Sequence, residues 1–518
     1  MARLHEYQGK KLLQQYKIPI PKGGVARTPE EARQIAEEIG GETMVKAQAW
    51  VTGRAGMGGI KKASNPAQSE EAAHHMLGMK VKNFVVEEVL VEERVEIARE
   101  FYAGVIIDDA AQQPVILFSS VGGTGIEEIA AAHPDRVARM HVDVSTGLLD
   151  YQARDLVRRT GIGGKLQLKL GGVLQGLYRL VSDYDARAAE INPLVQLTNG
   201  GILAADCRVT VDDYGVFRHK DLGIEIAREY DRPPTALEKI AYAVEANDYR
   251  GTFYFIQMAE DFRRGDGYVG FHGAGGGGSM MSMDAVMRQG YKLATFVDTS
   301  GNPPASKVYR ATRIVLAAGP VDGYFGSGSG VASQEQFHSA RGFVKAFLEE
   351  QIDVPVVIRL GGNSEDRAVE ILERLNGWVP APVEGYKKDD APDYCAERLD
   401  ALIKEGKTIE PKPKPEPGRA GETELYQFET VTGGTITYDH AVCRTCETKV
   451  CVETCVPQIL SLTDDGVPVL NITREEAAKG RCSECLACEV ECFFRGAGGG
   501  HIELPIPGLE AYLAQREV

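Results

Sequence analysis

Eight of the ten cysteines crowd into one short stretch, as Cys443-x2-Cys446-x4-Cys451-x3-Cys455 and Cys482-x2-Cys485-x2-Cys488-x3-Cys492. Three closely spaced thiolates can seat on three corners of a cubane cluster, and a fourth, after a chain reversal, reaches the neighbouring cluster. That logic assigns Cys443, Cys446, Cys451 and Cys492 to one [4Fe–4S] centre, and Cys455, Cys482, Cys485 and Cys488 to a second. Paired C-x2-C motifs also build structural zinc sites, although zinc ribbons favour two separated pairs over two runs of four. The x4 gap and the missing proline after Cys492 depart from the simplest bacterial ferredoxin run. Crowding of this kind would mean disulfides in a secreted chain and metal in a cytosolic one. Of the two remaining cysteines, Cys207 reads as a small core residue and Cys395 as a passenger on a helix face.

A second set of residues offers oxygen and cations. Glu190 and Asn192 share a face of a strand expected over 187–195, and Asp206 lies close to opposite Asn192 on a strand expected over 202–210. Three oxygen donors on one patch suit a hard divalent cation, although such a trio alone is more often a polar hairpin. Lys46 falls on the polar face of a strand over 44–49, so its ammonium must meet either solvent or an anion. Gly273 and Gly275, within the run Gly273 to Ser279, and Gly328 and Gly330 are candidate phosphate or carboxylate contacts, since glycine-rich turns at helix starts bind anions. A lone turn of this kind is usually only a turn.

The elements that must position these groups are readable locally. Thr28-Pro29-Glu30-Glu31 starts a helix, with Thr28 as N-cap, Pro29 at the first position and Glu31 closing a capping box. Ala32, Ile35, Ala36 and Ile39 keep helical spacing until Gly40 ends the run. Thr198-Asn199-Gly200-Gly201 is a hairpin signal joining the two strands of the oxygen-donor patch. From about residue 236 short apolar strands alternate with helical runs, which predicts a parallel sheet. The alternating prolines of Pro411 to Pro417 favour polyproline II, a semi-rigid spacer of roughly 20 Å and a domain boundary.

With 518 residues, two to four domains are expected. A formal net charge of −16 argues against nucleic-acid and anionic-membrane surfaces. No apolar run is long enough to span a bilayer, and Met1 to Gln8 lack a signal-peptide core, so a cytoplasmic protein is expected.

Two resemblances give these residues roles. The cysteine module resembles the small ferredoxin-like partners of electron-transfer flavoprotein:quinone oxidoreductases, which share both cysteine runs and a glycine-rich stretch after them, here Gly496 to Gly500. That resemblance implies electron transfer and a redox partner such as a flavoprotein, ferredoxin or oxidoreductase.

The opening Leu4-His5-Glu6-Tyr7-Gln8-Gly9-Lys10-Lys11-Leu12-Leu13 resembles succinyl-CoA synthetase β subunits, and the similarity runs in register to about residue 406. Matching stretches include Val45 to Gln48, Gly53-Arg54, Leu90-Val91-Glu92, Gly122-Gly123, Glu190 to Val195, and Val354 to Leu360 with Gly362-Asn363. The resemblance implies an α/β multidomain chain: an ATP-grasp domain (1–235), a flavodoxin-like CoA-ligase domain (236–406), a Pro/Lys-rich linker (407–422), and an α+β ferredoxin-like domain (423–518).

It further implies Lys46, Gly53, Arg54, Glu92 and Glu100 as contacts to ATP or GTP, with Lys46 and Arg54 neutralising the triphosphate and Glu92 at the adenosine hinge. Asn192 and Asp206 would ligate Mg2+, and Glu190 would act catalytically by orienting a phosphohistidine. That histidine and the main CoA site belong to a separate α-type subunit, so a partner chain is required.

Four departures stand out: Ala55-Gly56 after Arg54, Cys207-Arg208 after Asp206, an altered, lengthened loop over 325–333 without the family's arginine, and a longer segment Gly273 to Ser279. They point to an acid other than succinate. They also leave open an alternative, a non-catalytic redox adaptor that keeps the ligase scaffold for docking.

Overall fold

The computed structural model describes residues 2–51, 53–122, 126–228, 232–248, 252–328, 330, 332–413 and 423–516. The chain forms two compact units, Met1–Pro233 and Pro234–Val518.

In the first unit the helix Pro29–Ile39 starts where its cap residues place it. Thr28 accepts a hydrogen bond from the Glu31 amide, and Gly40 takes the left-handed conformation (φ 72°) that ends the helix. The Glu31 carboxylate accepts from the Arg27 amide, one residue before the position a capping box uses. The helix packs on a four-stranded antiparallel sheet ordered Gly23–Ala26, Val89–Glu93, Thr43–Ala47, Ile60–Ala63.

A second, seven-stranded antiparallel sheet carries the oxygen donors. Its order is Ala2–Arg3, Cys207–Val211, Ala186–Leu197, Ile97–Asp108, Gln113–Ser119, Val137–His141, with Ile202–Ala204 also paired to Ala186–Leu197. The strand expected to run unbroken over 202–210 is split at Ala205-Asp206. At the split the Ala205 carbonyl accepts from both Lys10 Nζ (2.8 Å) and Lys46 Nζ (2.7 Å).

The second unit contains a six-stranded sheet ordered Tyr254–Gln257, Lys292–Asp298, Tyr268–Ala274, Gly323–Gly328, Val356–Arg359, Val383–Tyr386. All neighbours are parallel except Tyr254–Gln257, which pairs antiparallel at the edge. The five parallel strands follow the doubly wound order 2-1-3-4-5, whose ligand crevice lies beyond the carboxyl ends of its first and third strands. Here those ends are the glycine-rich segments after Tyr268–Ala274 and Gly323–Gly328.

The cysteine-rich segment belongs to the same unit. It consists of a three-stranded sheet (Leu425–Glu429, Thr435–Asp439, Gly500–Glu503), a small hairpin (Leu460–Leu462 with Pro468–Leu470) and short helices, the longest of them Ala487–Arg495. Its apolar side chains, among them Phe428, Ile436 and Val490, continue the core formed by Val344, Phe347 and Ile371. Trp378 meets Phe493 edge-on at 5.1 Å.

The spacer expected of the proline run does not describe residues 408–413. Ile409 and Lys412 donate their amides to Pro380 and Gly377 (both 2.7 Å), and Lys412 lies over the Trp378 ring. Ile409 precedes the prolines, and Lys412 keeps the amide that its proline neighbours lack; these two dock the segment on a neighbouring turn. The remainder of the expected linker, 414–422, lies outside the described residues.

Candidate functional site

Lys46 is buried, and the anion it meets belongs to the protein. Its Nζ lies 2.7 Å from Glu6 Oε1 and 3.0 Å from Glu92 Oε2. Lys10, one helical turn after Glu6, joins the same carboxylates at 2.8 Å (Glu6) and 2.6 Å (Glu92). Arg54 donates to Glu6 Oε2 at 2.7 Å and to Asp206 at 3.3 Å, and its other nitrogen holds the Ala47 carbonyl. Three cations and three carboxylates therefore close into one network in which every charge is matched.

Its titration behaviour follows from that matching. Burial alone would raise the Glu6 carboxyl, but Lys46, Lys10 and Arg54 together hold it well below the usual carboxylate range. Burial would lower Lys46, and the carboxylates of Glu6 and Glu92 raise it instead. Asp206 is pushed up to about 6, first by burial and then by the Glu6 charge beside it.

In front of this network lies a cavity of about 1130 Å³. Glu6, Gly53, Arg54, Glu190, Asn192 and Asp206 line it, as do Arg3, Trp50, Tyr102, Arg139 and Arg208. Tyr102 donates to Glu190 at 3.2 Å, and Arg208 stands directly opposite Glu190 in the strand pairing. Asn192 and Asp206 flank the break in the ladder between the pairs Ile191–Cys207 and Leu194–Ala204. Of the nucleotide set expected from sequence, Gly53 and Arg54 thus reach the cavity. Lys46 and Glu92 stand behind it in the ion network, and Glu100 is half-buried opposite Val195, outside the lining.

Glu6, Lys10 and Tyr102 were not singled out in the sequence. Glu6 and Lys10 did leave a signal, since both charges fall on the same buried face as Gly9, Leu12 and Leu13. Cys207 is the small core residue expected: its Sγ touches the space above Gly9, where an added Cβ would come within 2.9 Å. Gly122 packs its α-carbon on the Phe101 backbone, while Gly123 lies outside the described residues.

In the second unit the four candidate loop glycines sit at the crevice end of the sheet. Gly273 has no room for a side chain, since a Cβ would fall 2.2 Å from Ser279 Oγ. Gly275 has φ 97° and its amide already donates to Asp298 at 3.0 Å, so that amide is spent within the fold. The helix Gly276–Arg288 opens directly after Gly275. Ser282 on this helix and Ser327 on the strand Gly323–Gly328 share a 2.7 Å hydroxyl contact. Gly328 and Gly330 (φ 75°) lie over the Arg359 guanidinium, whose donors are taken by the carbonyls of Gly328, Lys388 and Asp390. Ser329 and Val331 lie outside the described residues.

Comparison with known proteins places this geometry. A model described as an ATP-grasp domain matches residues 3–196. The β subunit of the GDP-forming succinate–CoA ligase of Thermus thermophilus is 41% identical over 386 residues, covering 74% of this chain and 97% of that one. The ADP-forming counterpart from Roseiflexus sp. is 38% identical, covering 73% and 95%. The chain belongs to the succinate–CoA ligase β-subunit family. Among solved structures, ATP citrate lyase from Methanothrix soehngenii with citrate and coenzyme A superimposes with a TM-score of 0.63 at 19% identity, covering 78% of this chain and 99% of that one, a likeness of fold. Among the described residues no helix is long and apolar enough to cross a membrane.

These ligase relatives leave about a quarter of the chain unmatched. In the cysteine-rich segment the structure gathers eight thiols into two groups. Cys443 has Cys446, Cys451 and Cys492 as its thiol neighbours. Cys455, Cys482, Cys485 and Cys488 line one cavity together with Tyr438. Burial raises Cys443, Cys451 and Cys482 to about 12 as thiols. The amides of Gly498, Gly499 and Gly500 point at Cys492, and those of Gln458, Ile459 and Leu460 at Cys455. Among the described residues no three His, Cys, Asp or Glu side chains converge on the position of a single metal ion. A four-iron core is wider than one ion, and its thiolates stand apart around it.

Proposed function

We propose that this chain is the nucleotide-binding subunit of an ATP- or GTP-dependent acid–CoA ligase that works with an α-type partner. The observation that carries this reading is the convergence of Arg54, Glu190, Asn192 and Asp206 on one cavity in a chain of this family. Asn192 and Asp206 supply the hard oxygens that suit Mg2+, which when bound would neutralise charge on the nucleotide phosphates. Arg54, and the Arg208 and Arg139 guanidiniums on the same cavity, steady the triphosphate. Glu190, held by Tyr102, accepts an N–H of the partner's histidine and so presents the other ring nitrogen to the γ-phosphate. The phosphoryl group passes from nucleotide to histidine and then to a carboxylic acid. CoA thiolate displaces phosphate from that acyl phosphate, giving the thioester. The altered loop over 325–333 favours an acid other than succinate.

The eight cysteines suit two [4Fe–4S] clusters in a ferredoxin-like tail that exchanges electrons with a redox partner. The two groups of four, each with main-chain amides aimed at a thiol, support this.

Titration of ATP, ADP and GTP into the anaerobically purified chain, alone and with a co-purified partner, tests the ligase reading. Magnesium-dependent binding is expected, and its absence in every case overturns it. One observation favours a second reading. Lys46 and Arg54 are already neutralised by Glu6, Glu92 and Asp206, which fits a redox adaptor built on a retired ligase scaffold. Full electron transfer in a chain that binds no nucleotide selects that reading.

A further inference from the structure

Glu491 sits between Cys488 and Cys492 on the helix Ala487–Arg495 and is 2% exposed. Four guanidinium groups converge on it: Arg341 at 3.3 Å, Arg374 at 3.4 Å, Arg495 at 3.6 Å and Arg367 at 3.9 Å. Arg374 has a second carboxylate in Glu370, and Arg495 one in Glu453 at 4.0 Å. Arg341, on the helix Phe337–Glu350 of the parallel-sheet domain, is 1% exposed, and among the described residues its Nε and Nη1 have no hydrogen-bond partner. A buried guanidinium with two donors unmet, within a group of cations that outnumbers its carboxylate, calls for a further anion. The Cys485 thiol lies within its electrostatic reach.

A second orphan faces the same four cysteines. Tyr438 is 1% exposed, and apart from the Cys488 thiol its hydroxyl has no hydrogen-bond partner among the described residues. It lines the cavity of Cys455, Cys482, Cys485 and Cys488, with the Cys488 thiol in hydrogen-bonding reach. Both are large, polar and fully buried; Tyr438 lines the cavity of this thiol group, and Arg341 reaches it through Glu491 on the helix that carries Cys488.

We propose that Arg341 and Tyr438 complete the site formed by Cys455, Cys482, Cys485 and Cys488, Arg341 as the positive charge beside Cys485 and Tyr438 as the O–H donor to Cys488. This rests on the [4Fe–4S] reading of those cysteines given above. A four-iron core with four thiolates is anionic and becomes more so on gaining an electron, so a buried cation and a hydroxyl donor stabilise the reduced form. The other group has Cys446 partly at the surface, where water stabilises added charge, and the Lys449 ammonium beside Cys443. The buried Glu484 carboxylate lines the Cys485-side cavity and opposes added charge there, which Arg341 and Tyr438 offset. Arg341 also ties this centre to the parallel-sheet domain.

The test is an anaerobic redox titration of the full reconstituted chain, followed by electron paramagnetic resonance. A Cys455→Ser variant identifies which signal belongs to this group. Two four-iron signals of unequal potential are expected. Arg341→Gln should make reduction of the Cys485-side centre at least tenfold less favourable, about 59 mV for one electron, and leave the other in place. Arg341→Lys should restore most of the shift, and Tyr438→Phe should move the same signal in the same direction. If Arg341→Gln does not fold, the lysine and phenylalanine variants carry the test. Unmoved potentials in the folded variants, with full iron, overturn the proposal. A wild-type chain that takes up zinc and no iron–sulfur core overturns the underlying cluster reading before any variant is compared.

Discussion

Glu6 accepts a hydrogen bond from Lys46 at 2.7 Å, and both side chains are shut away from water. Glu6 also serves Lys10 and Arg54, so it is the carboxylate on which three cations depend. Removing its charge would leave buried cations without an anion, the case in which a buried pair is costly to break. Glu6→Gln is expected to destabilise the Met1–Pro233 unit by about 3–5 kcal/mol, read from the urea midpoint. A change under about 0.5 kcal/mol, the range of an ordinary surface substitution, would show that the network is dispensable.

His272 is a pH-sensitive group of the second unit. It is fully enclosed, with Nδ1 3.1 Å from the Tyr324 hydroxyl and Nε2 3.1 Å from Thr299 Oγ1. Burial depresses it to about 3, against about 6.5 in an unfolded chain. Between those values the unfolded chain binds a proton that the folded one refuses, so stability falls as pH drops from about 6.5 toward 3. At pH 5 the loss amounts to about 2 kcal/mol. Denaturation of wild type and His272→Gln at pH 7.5 and pH 5 should differ in slope by this amount, and parallel slopes would refute the assignment.

What the sequence made legible was local. Thr28, Pro29 and Gly40 bound a helix by their own backbone chemistry, and the structure ends it at the same residues. The hairpin turn at Thr198 to Gly201 was readable for the same reason, and it brings Glu190, Asn192 and Asp206 to one side of a sheet. The partners of Lys46 were not readable. Glu6 is 40 residues away, and a strand lysine carries no mark of whether its anion is a phosphate or a carboxylate. Arg341 and Glu491, 150 residues apart, look in sequence like charges on two solvated helix faces. The docking of residues 408–413 escaped because a proline run advertises its missing amides and is silent about those that remain.

Asp206 tests the proposed magnesium role directly. It lies at the break in the ladder, partly exposed to the cavity, with Arg54 its ion-pair partner at 3.3 Å. Asp206→Asn keeps the shape and removes the charge a hard cation needs. Magnesium-dependent nucleotide binding should weaken at least tenfold, about 1.4 kcal/mol, while binding in EDTA changes little. Equal losses in both conditions would assign Asp206 to holding Arg54 instead.

The grouping of the cysteines makes a prediction that sequence neighbours alone would get wrong. Cys455 closes the run that begins at Cys443, yet in the structure it lines a cavity with Cys482, Cys485 and Cys488. Cys492 closes the second run and lies instead with Cys443, Cys446 and Cys451. Each run thus lends its last thiol to the other, which binds the two halves of the segment across the intervening hairpin. Cys455→Ser should therefore disturb the centre of Cys482, Cys485 and Cys488 and spare that of Cys443. Iron should fall by about half where the centre is lost, and one of two paramagnetic signals should survive unaltered. Cys492→Ser should remove the opposite signal. If Cys455→Ser and Cys446→Ser abolish the same signal, the thiols follow chain order and the exchange between runs is wrong.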